Sequence, residues 1–163
     1  MATEQSLQEA SFKALATSGI AHPRYVYFDR IGSPSLGYLS IAEKECLPFE
    51  VNRVYWTYFT PESVMRGGHA HKALRQILVA VAGRIVIKTE TVDGREDTFE
   101  LDSPDKGIFL PCNCWRTMKY SHNAVQMVLC SMEYTEDDYI RNYSDFRVLC
   151  SQNGQPTKII TED

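Results

Sequence analysis

From Tyr25 onward, apolar and polar residues change over in short runs, at the period of strands rather than helices. Tyr25-Val26-Tyr27-Phe28 is the first run, and Gly32-Ser33-Pro34-Ser35 separates it from Tyr38-Leu39-Ser40-Ile41-Ala42. Val51 to Phe59 alternates and is rich in aromatic and β-branched residues, as a half-buried strand is. Gln76 to Ala82 is almost wholly apolar and stops at Gly83. Arg84 to Thr91 and Glu96 to Leu101 flank Val92-Asp93-Gly94-Arg95, whose Asp-Gly pair marks a hairpin turn. Beyond the loop Ser103 to Gly107 come Ile108 to Leu110, Trp115 to Tyr120, the turn Ser121-His122-Asn123, and the long apolar stretch Ala124 to Met132, which suits the middle of a sheet.

The two ends read differently. Leu7, Ala10, Ala14 and Leu15 share one face of a helix expected over residues 3–17, with Ser18-Gly19 to end it. After residue 132 the chain turns polar, and Thr135 to Asp145 reads as a helix or irregular tail, with Thr135 as N-cap and Glu136, Asp137 and Asp138 as a solvated first turn. Many short strands with few helices predict an all-β sandwich or barrel. No linker or repeat divides residues 1–163, so the expectation is one domain: a helical extension over 1–20, a barrel over 25–132 and a C-terminal segment over 133–163.

Composition narrows the function classes. With a net charge of −4 and no polybasic run, nucleic acid and anionic membrane are poor partners, although a few placed arginines can still hold a phosphorylated ligand. No apolar run approaches the roughly 20 residues needed to span a bilayer, and the polar start of the chain is unlike a secretion signal. Five cysteines at irregular spacing (Cys46, Cys112, Cys114, Cys130, Cys150) read as free thiols in a reducing cytoplasm. Cys112-Asn113-Cys114 lacks a second pair to make a zinc site.

The chemistry centres on Arg66-Gly67-Gly68-His69-Ala70-His71-Lys72. Residues two apart on a strand face the same way, so both imidazoles project from one face. Three readings are open: satisfied core histidines, metal ligands, or an acid–base pair, histidine being the side chain that titrates near neutral pH. The spacing resembles the first motif of the cupin jelly-roll barrels, with Gln76 at the usual glutamate and Gly83 at the usual glycine. Gly107, Pro111 and Asn113 resemble the second motif, where the third histidine becomes Arg116. A neutral amide and a permanent cation in place of a carboxylate and an imidazole disfavour a divalent metal. The acid–base reading, with no metal and no cofactor, is the one adopted.

Over residues 36–146 the chain is similar to the sugar 3,4-ketoisomerases that act on dTDP-4-dehydro-6-deoxyglucose. The match includes Pro48-Phe49, Arg53-Val54-Tyr55, the His-Ala-His-Lys stretch, Gln76, Leu101-Asp102-Ser103-Pro104, Trp115 with Met118, Val128-Leu129 and Asp138-Tyr139-Ile140-Arg141-Asn142-Tyr143 with Phe146. The resemblance implies a metal-free homodimeric cupin in the cytoplasm. It holds a dTDP-linked keto-deoxy sugar in its barrel, for deoxyamino sugars of the lipopolysaccharide type. It also implies His71 as principal base with His69 as partner, Arg66 on developing negative charge or the diphosphate, and Tyr55 on a sugar oxygen. Gln76, Trp115, Arg116, Tyr139 and Arg141 are the remaining candidates for substrate or nucleotide contact. The chain departs from the family at Pro34 to Leu39, where an Asp-x-Arg-Gly pattern is missing, at Arg116, and in its first ~20 residues. A 3,5-epimerase of similar substrates, a metal cupin and a non-catalytic sugar-nucleotide-binding protein are the rival readings.

Overall fold

The computed structural model describes residues 21–152, so the helix expected over residues 3–17 and the end of the C-terminal segment lie outside the described residues. Twelve strands and one helix follow in chain order: β1 (Arg24–Tyr27), β2 (Asp29–Ser33), β3 (Gly37–Ile41), β4 (Arg53–Thr57), β5 (Arg66–His71), β6 (Gln76–Ala82), β7 (Ile85–Thr91), β8 (Glu96–Leu101), β9 (Lys106–Leu110), β10 (Cys114–Tyr120), β11 (Val125–Cys130), β12 (Tyr139–Ile140) and α1 (Tyr143–Gln152). The strand runs expected from the sequence form, but β2 runs through Gly32-Ser33, expected as a break, β9 takes in Lys106-Gly107, expected as loop, and β12 is a strand beyond those expected. The Asp93-Gly94 turn forms with Gly94 at φ 80° and its N–H donating to the Thr91 carbonyl at 2.8 Å.

The strands form two five-stranded antiparallel sheets, ordered β1-β9-β6-β11-β4 and β12-β5-β10-β7-β8, with β2–β3 as a separate hairpin. The two sheets face each other across a core of Leu78, Ala80, Ile108, Leu110 and Val128 from the first and Ile85, Ile87, Phe99, Leu101 and Met118 from the second. Strand β6 is buried on both faces, because Ile77 and Val79 pack outward under Val26, Phe28 and Phe49. That explains its unbroken apolar run. On the outer face of the second sheet, Phe146 and Cys150 of α1 cover Ala70, Val92 and Ile140.

The stretch after β11 differs in part from expectation. Glu136–Asp138 forms only a 3-10 turn, Thr135 makes no side-chain cap, and Asp138 is buried rather than solvated. The chain then adds β12 to the edge of β5, with Tyr139 opposite His71 and Ile140 opposite Ala70. Only then does α1 begin, where the Asn142 side-chain oxygen accepts the Ser144 N–H at 2.8 Å. Edge pairing satisfies backbone groups that a helix over 135–145 would have satisfied internally, and it turns Asp138 inward.

Candidate active site

The core fills the sandwich on the side of β7, β8 and β9. On the other side, between β4 and β11 of one sheet and β5, β10 and β12 of the other, a cavity of about 540 Å3 remains. Three arginines (Arg53, Arg66, Arg141) line it, together with His69, Tyr55 and Tyr139, and no carboxylate is among the described lining residues. In an acidic chain this concentrates positive potential at one place, which suits an anionic ligand.

Two glycines position the wall of this cavity. Strand β10 pairs Arg116 with His69 but Thr117 with Gly67, so Gly68 is an extra residue on β5, a β-bulge. Gly67 and Gly68 sit at φ 89° and 65°, and a Cβ on Gly67 would meet the Arg116 carbonyl oxygen at 2.5 Å. Without the bulge, Arg66 would be three residues from His69 and face away from it. The extra residue restores the phase, and both line the cavity.

His69 and His71 share a face, as expected, with ring centroids 5.1 Å apart, and the Tyr139 ring lies 5.0 Å from the first and 4.3 Å from the second. His69 Nδ1 is 3.0 Å from the Gly67 carbonyl, which can only accept, so that nitrogen carries the hydrogen. His71 Nδ1 is 2.9 Å from Asp138 Oδ2, and Asp138 also accepts the Ala73 N–H at 2.7 Å. The carboxylate therefore fixes the same tautomer in His71 and leaves its Nε2 buried without a hydrogen-bond partner. Burial, then the Arg116 charge, pushes the His69 pKa down to about 4, and the same two causes push His71 lower still. Both rings are thus neutral at neutral pH, each with a bare Nε2.

The two rings, expected as principal base (His71) and partner (His69), differ in their access to the cavity. His69 lines the cavity, whereas His71 is only 2% exposed and sits behind it. The bulge places His69 opposite Arg116 on the cavity wall, while pairing with β12 covers His71.

Tyr55, on the same face of β4 as Arg53, lines the cavity, and its hydroxyl accepts from Gln76 Nε2 at 3.2 Å. Arg116 is buried, and its guanidinium donates to Gln76 Oε1 at 2.8 Å and to the His69 carbonyl at 3.1 Å. Gln76 and Arg116 therefore stand behind the wall, holding its residues, and are absent from the lining itself. Arg141 lies over Tyr139 at 4.0 Å and pairs with Glu136 at 2.5 Å, which braces the cavity rim. Trp115 is a correction. One residue from Arg116 on β10, it faces the opposite side and packs on Tyr143 and Phe146 of α1 at 5.2 and 5.7 Å. Strand alternation sends it away from the cavity.

Sequence reasoning missed Asp138 and gave Arg53 no site role. The period of two that places Tyr55 places Arg53 as well, since both sit on one face of β4, and Arg53 Nε is buried without a partner. Asp138 had no local signal, because its partner is 67 residues away. Tyr120 and Gln126 also line the cavity, joined by a 2.9 Å hydrogen bond. The described residues contain no cluster of three or more His, Cys, Asp or Glu suited to a metal.

Comparison with known proteins gives consistent matches. Residues 22–151 match the family model described as FdtA: WxcM-like, C-terminal. The TDP-4-oxo-6-deoxy-alpha-D-glucose-3,4-oxoisomerase of Aneurinibacillus thermoaerophilus is 34% identical over 127 residues, covering 76% of this chain and 89% of that protein. The structure of QdtA, a sugar 3,4-ketoisomerase from Thermoanaerobacterium thermosaccharolyticum, in complex with TDP, superposes with a TM-score of 0.76 at 31% identity, covering 82% of this chain and 97% of that one. A mutant of QdtA in complex with TDP-4-keto-6-deoxyglucose superposes with a TM-score of 0.76 at 30% identity, over the same shares of the two chains.

Proposed function

The chain belongs to the FdtA family, and from that premise we propose that it is an isomerase moving the keto group between C4 and C3 of a dTDP-linked 4-keto-6-deoxy sugar. The observation that carries the chemistry is the pair of neutral imidazoles, each with Nδ1 committed and Nε2 bare, at an arginine-lined cavity. The two facing sheets are read as the jelly roll of a single cupin domain.

The mechanism uses few groups. The ketone at C4 acidifies the hydrogen on C3. His69, on the wall, takes that proton; the C–H electron pair forms the C3=C4 bond and the carbonyl pair moves onto O4. His69 carries that proton on Nε2 until C4 takes it, and His71, held by Asp138 with its own Nε2 bare, stands edge-on to the His69 ring as the second acceptor behind it. Reprotonation at C4, with the O3 hydrogen passing to O4, leaves a ketone at C3 with no net change in atoms or electrons. Arg53, Arg66 and Arg141 hold the diphosphate, each as a fixed fork of donors. Residues 66–71 belong to a rigid strand, which keeps both bases in one geometry.

Incubation with dTDP-4-keto-6-deoxyglucose in heavy water tests this reading. Deuterium at C3 or C4, with a 3-keto product and undiminished rate in a metal chelator, is expected. Exchange at C3 and C5 instead would indicate the epimerase. Tight nucleotide binding with no exchange would indicate a binding protein, and loss of rate in chelator would indicate a metal cupin.

The active unit is proposed to be a homodimer in the cytoplasm, serving deoxyamino sugar synthesis. The β2–β3 hairpin exposes Ile31, Leu36, Tyr38 and Leu39, with Leu36 88% exposed, an apolar surface of the kind that a second copy covers. Its replacement by Leu36→Asp with Leu39→Asp is expected to give monomers in sedimentation. All five cysteines are free, which fits a reducing compartment. Among the described residues no helix is long and apolar enough to cross a membrane. Cell fractionation checks the location.

A further inference from the structure

A buried cation without a counter-ion lies behind the cavity wall. Arg116 is 4% exposed, and no carboxylate forms a salt bridge with it among the described residues. Its partners are neutral: the Gln76 amide oxygen at 2.8 Å and the His69 carbonyl at 3.1 Å, with Nε unpartnered. Burying an unneutralised guanidinium is costly, so its retention calls for a use.

The directions of its hydrogen bonds supply one. A guanidinium can only donate, so Arg116 fixes which end of the Gln76 amide faces it: the oxygen. The amide nitrogen must then face the other way, toward Tyr55 Oη at 3.2 Å and Cys130 Sγ at 3.6 Å. An amide NH2 also only donates, so the Tyr55 oxygen must accept. The Tyr55 hydroxyl hydrogen cannot point at Gln76, and the phenol donates to no acceptor among the described residues. Tyr55 lines the cavity, so its hydrogen is left for whatever occupies that space.

We propose that Arg116 and Gln76 are positioning residues that act through Tyr55, orienting its hydroxyl as a hydrogen-bond donor to the oxyanion that develops on the sugar. This rests on the ketoisomerase reading and deepens it by assigning the oxyanion donor and the groups that set its direction. As the proton leaves C3 and the carbonyl electron pair moves onto O4, the preset O–H meets the growing charge. The Arg116 charge, carried through the amide, polarises that O–H toward the substrate.

Gln76→Glu is the discriminating change, because it keeps the shape and reverses the direction. A glutamate ion-pairs with Arg116 and accepts from Tyr55, turning the hydroxyl hydrogen away from the cavity. The expected result is a kcat reduced on the order of 100-fold, the loss seen when one oxyanion donor is removed. KM and dTDP affinity stay within about two-fold, and the melting temperature is no lower than that of the unaltered chain. Tyr55→Phe gives the same loss, and the double variant Gln76→Glu with Tyr55→Phe loses no more than either alone. A Gln76→Glu enzyme at full kcat, or a double variant whose loss is the product of the two, overturns the relay. If the unaltered chain converts no keto sugar nucleotide, the ketoisomerase reading fails, and ultraviolet titration still decides the relay. The Tyr55 phenol, taken as the difference from the matching Tyr55→Phe protein, ionises at higher pH in Gln76→Glu; an unchanged titration overturns it.

Discussion

His71 Nδ1 and Asp138 Oδ2 meet at 2.9 Å, and both side chains are almost fully buried. The carboxylate is itself held by the Ala73 and Leu74 N–H groups at 2.7 and 3.4 Å, so it is a fixed acceptor facing one nitrogen of one ring. It sets the His71 tautomer and leaves Nε2 without a hydrogen.

Asp138→Asn keeps the shape and inverts this relationship. The asparagine oxygen is drawn to the backbone N–H of Ala73, so its NH2 faces His71 Nδ1, which must then accept. The ring hydrogen moves to Nε2, the wrong end. Turnover is expected to fall by about 100-fold or more, the scale of general acid–base catalysis. Binding of dTDP, followed by calorimetry, is retained. Wild-type turnover in this variant would remove Asp138 from the mechanism.

The depressed histidines set a pH dependence. In the unfolded chain both rings bind protons below about pH 6.5. In the fold His69 resists until about 4 and His71 further, because burial and then Arg116 oppose the cation. The unfolded state therefore binds more protons in this window, and stability rises with pH across it. The contribution is fully present above about pH 6.5 and drains as pH falls toward 4. Melting curves recorded between pH 7.5 and 4 show the decline, and His69→Asn makes it shallower. The base is neutral throughout the upper part of this range, so kcat/KM stays level from pH 7.5 to 5.5. A rate that halves near 6.5 would contradict the buried environment of the pair.

The glycine bulge gives a third test. Gly67→Ala places a methyl 2.5 Å from the Arg116 carbonyl at a backbone angle of +89°. The strain amounts to about 1–3 kcal/mol. The melting temperature is expected to drop by several degrees, and the affinity for dTDP weakens as Arg66 loses its place on the cavity wall. Gly68→Ala meets no atom within 4 Å but has φ +65°, so it loses stability with a smaller effect on binding. Equal effects of the two substitutions on binding would mean that the bulge does not position Arg66.

Much of the architecture was legible in local pattern. Alternation in β10, the doubly buried run of β6 and the Asp93-Gly94 turn each follow from neighbours in the chain, because side-chain period and turn geometry are local properties. The shared face of His69 and His71 follows from the same period. Trp115 was misplaced because its identity suggested a stacking surface, while its parity relative to Arg116 already sent it to α1.

By itself the sequence determined most of the strands and the shared face of the His-x-His pair, since each depends on residue type and spacing along one segment. Only the tertiary structure decided that Asp138 serves His71, that His69 and not His71 meets the cavity, and that Arg116, Gln76 and Tyr55 form one chain of donors. Those facts depend on which strands become neighbours and on the phase set by the Gly67-Gly68 bulge. Contacts between residues 21 to 67 positions apart leave no trace in local periodicity.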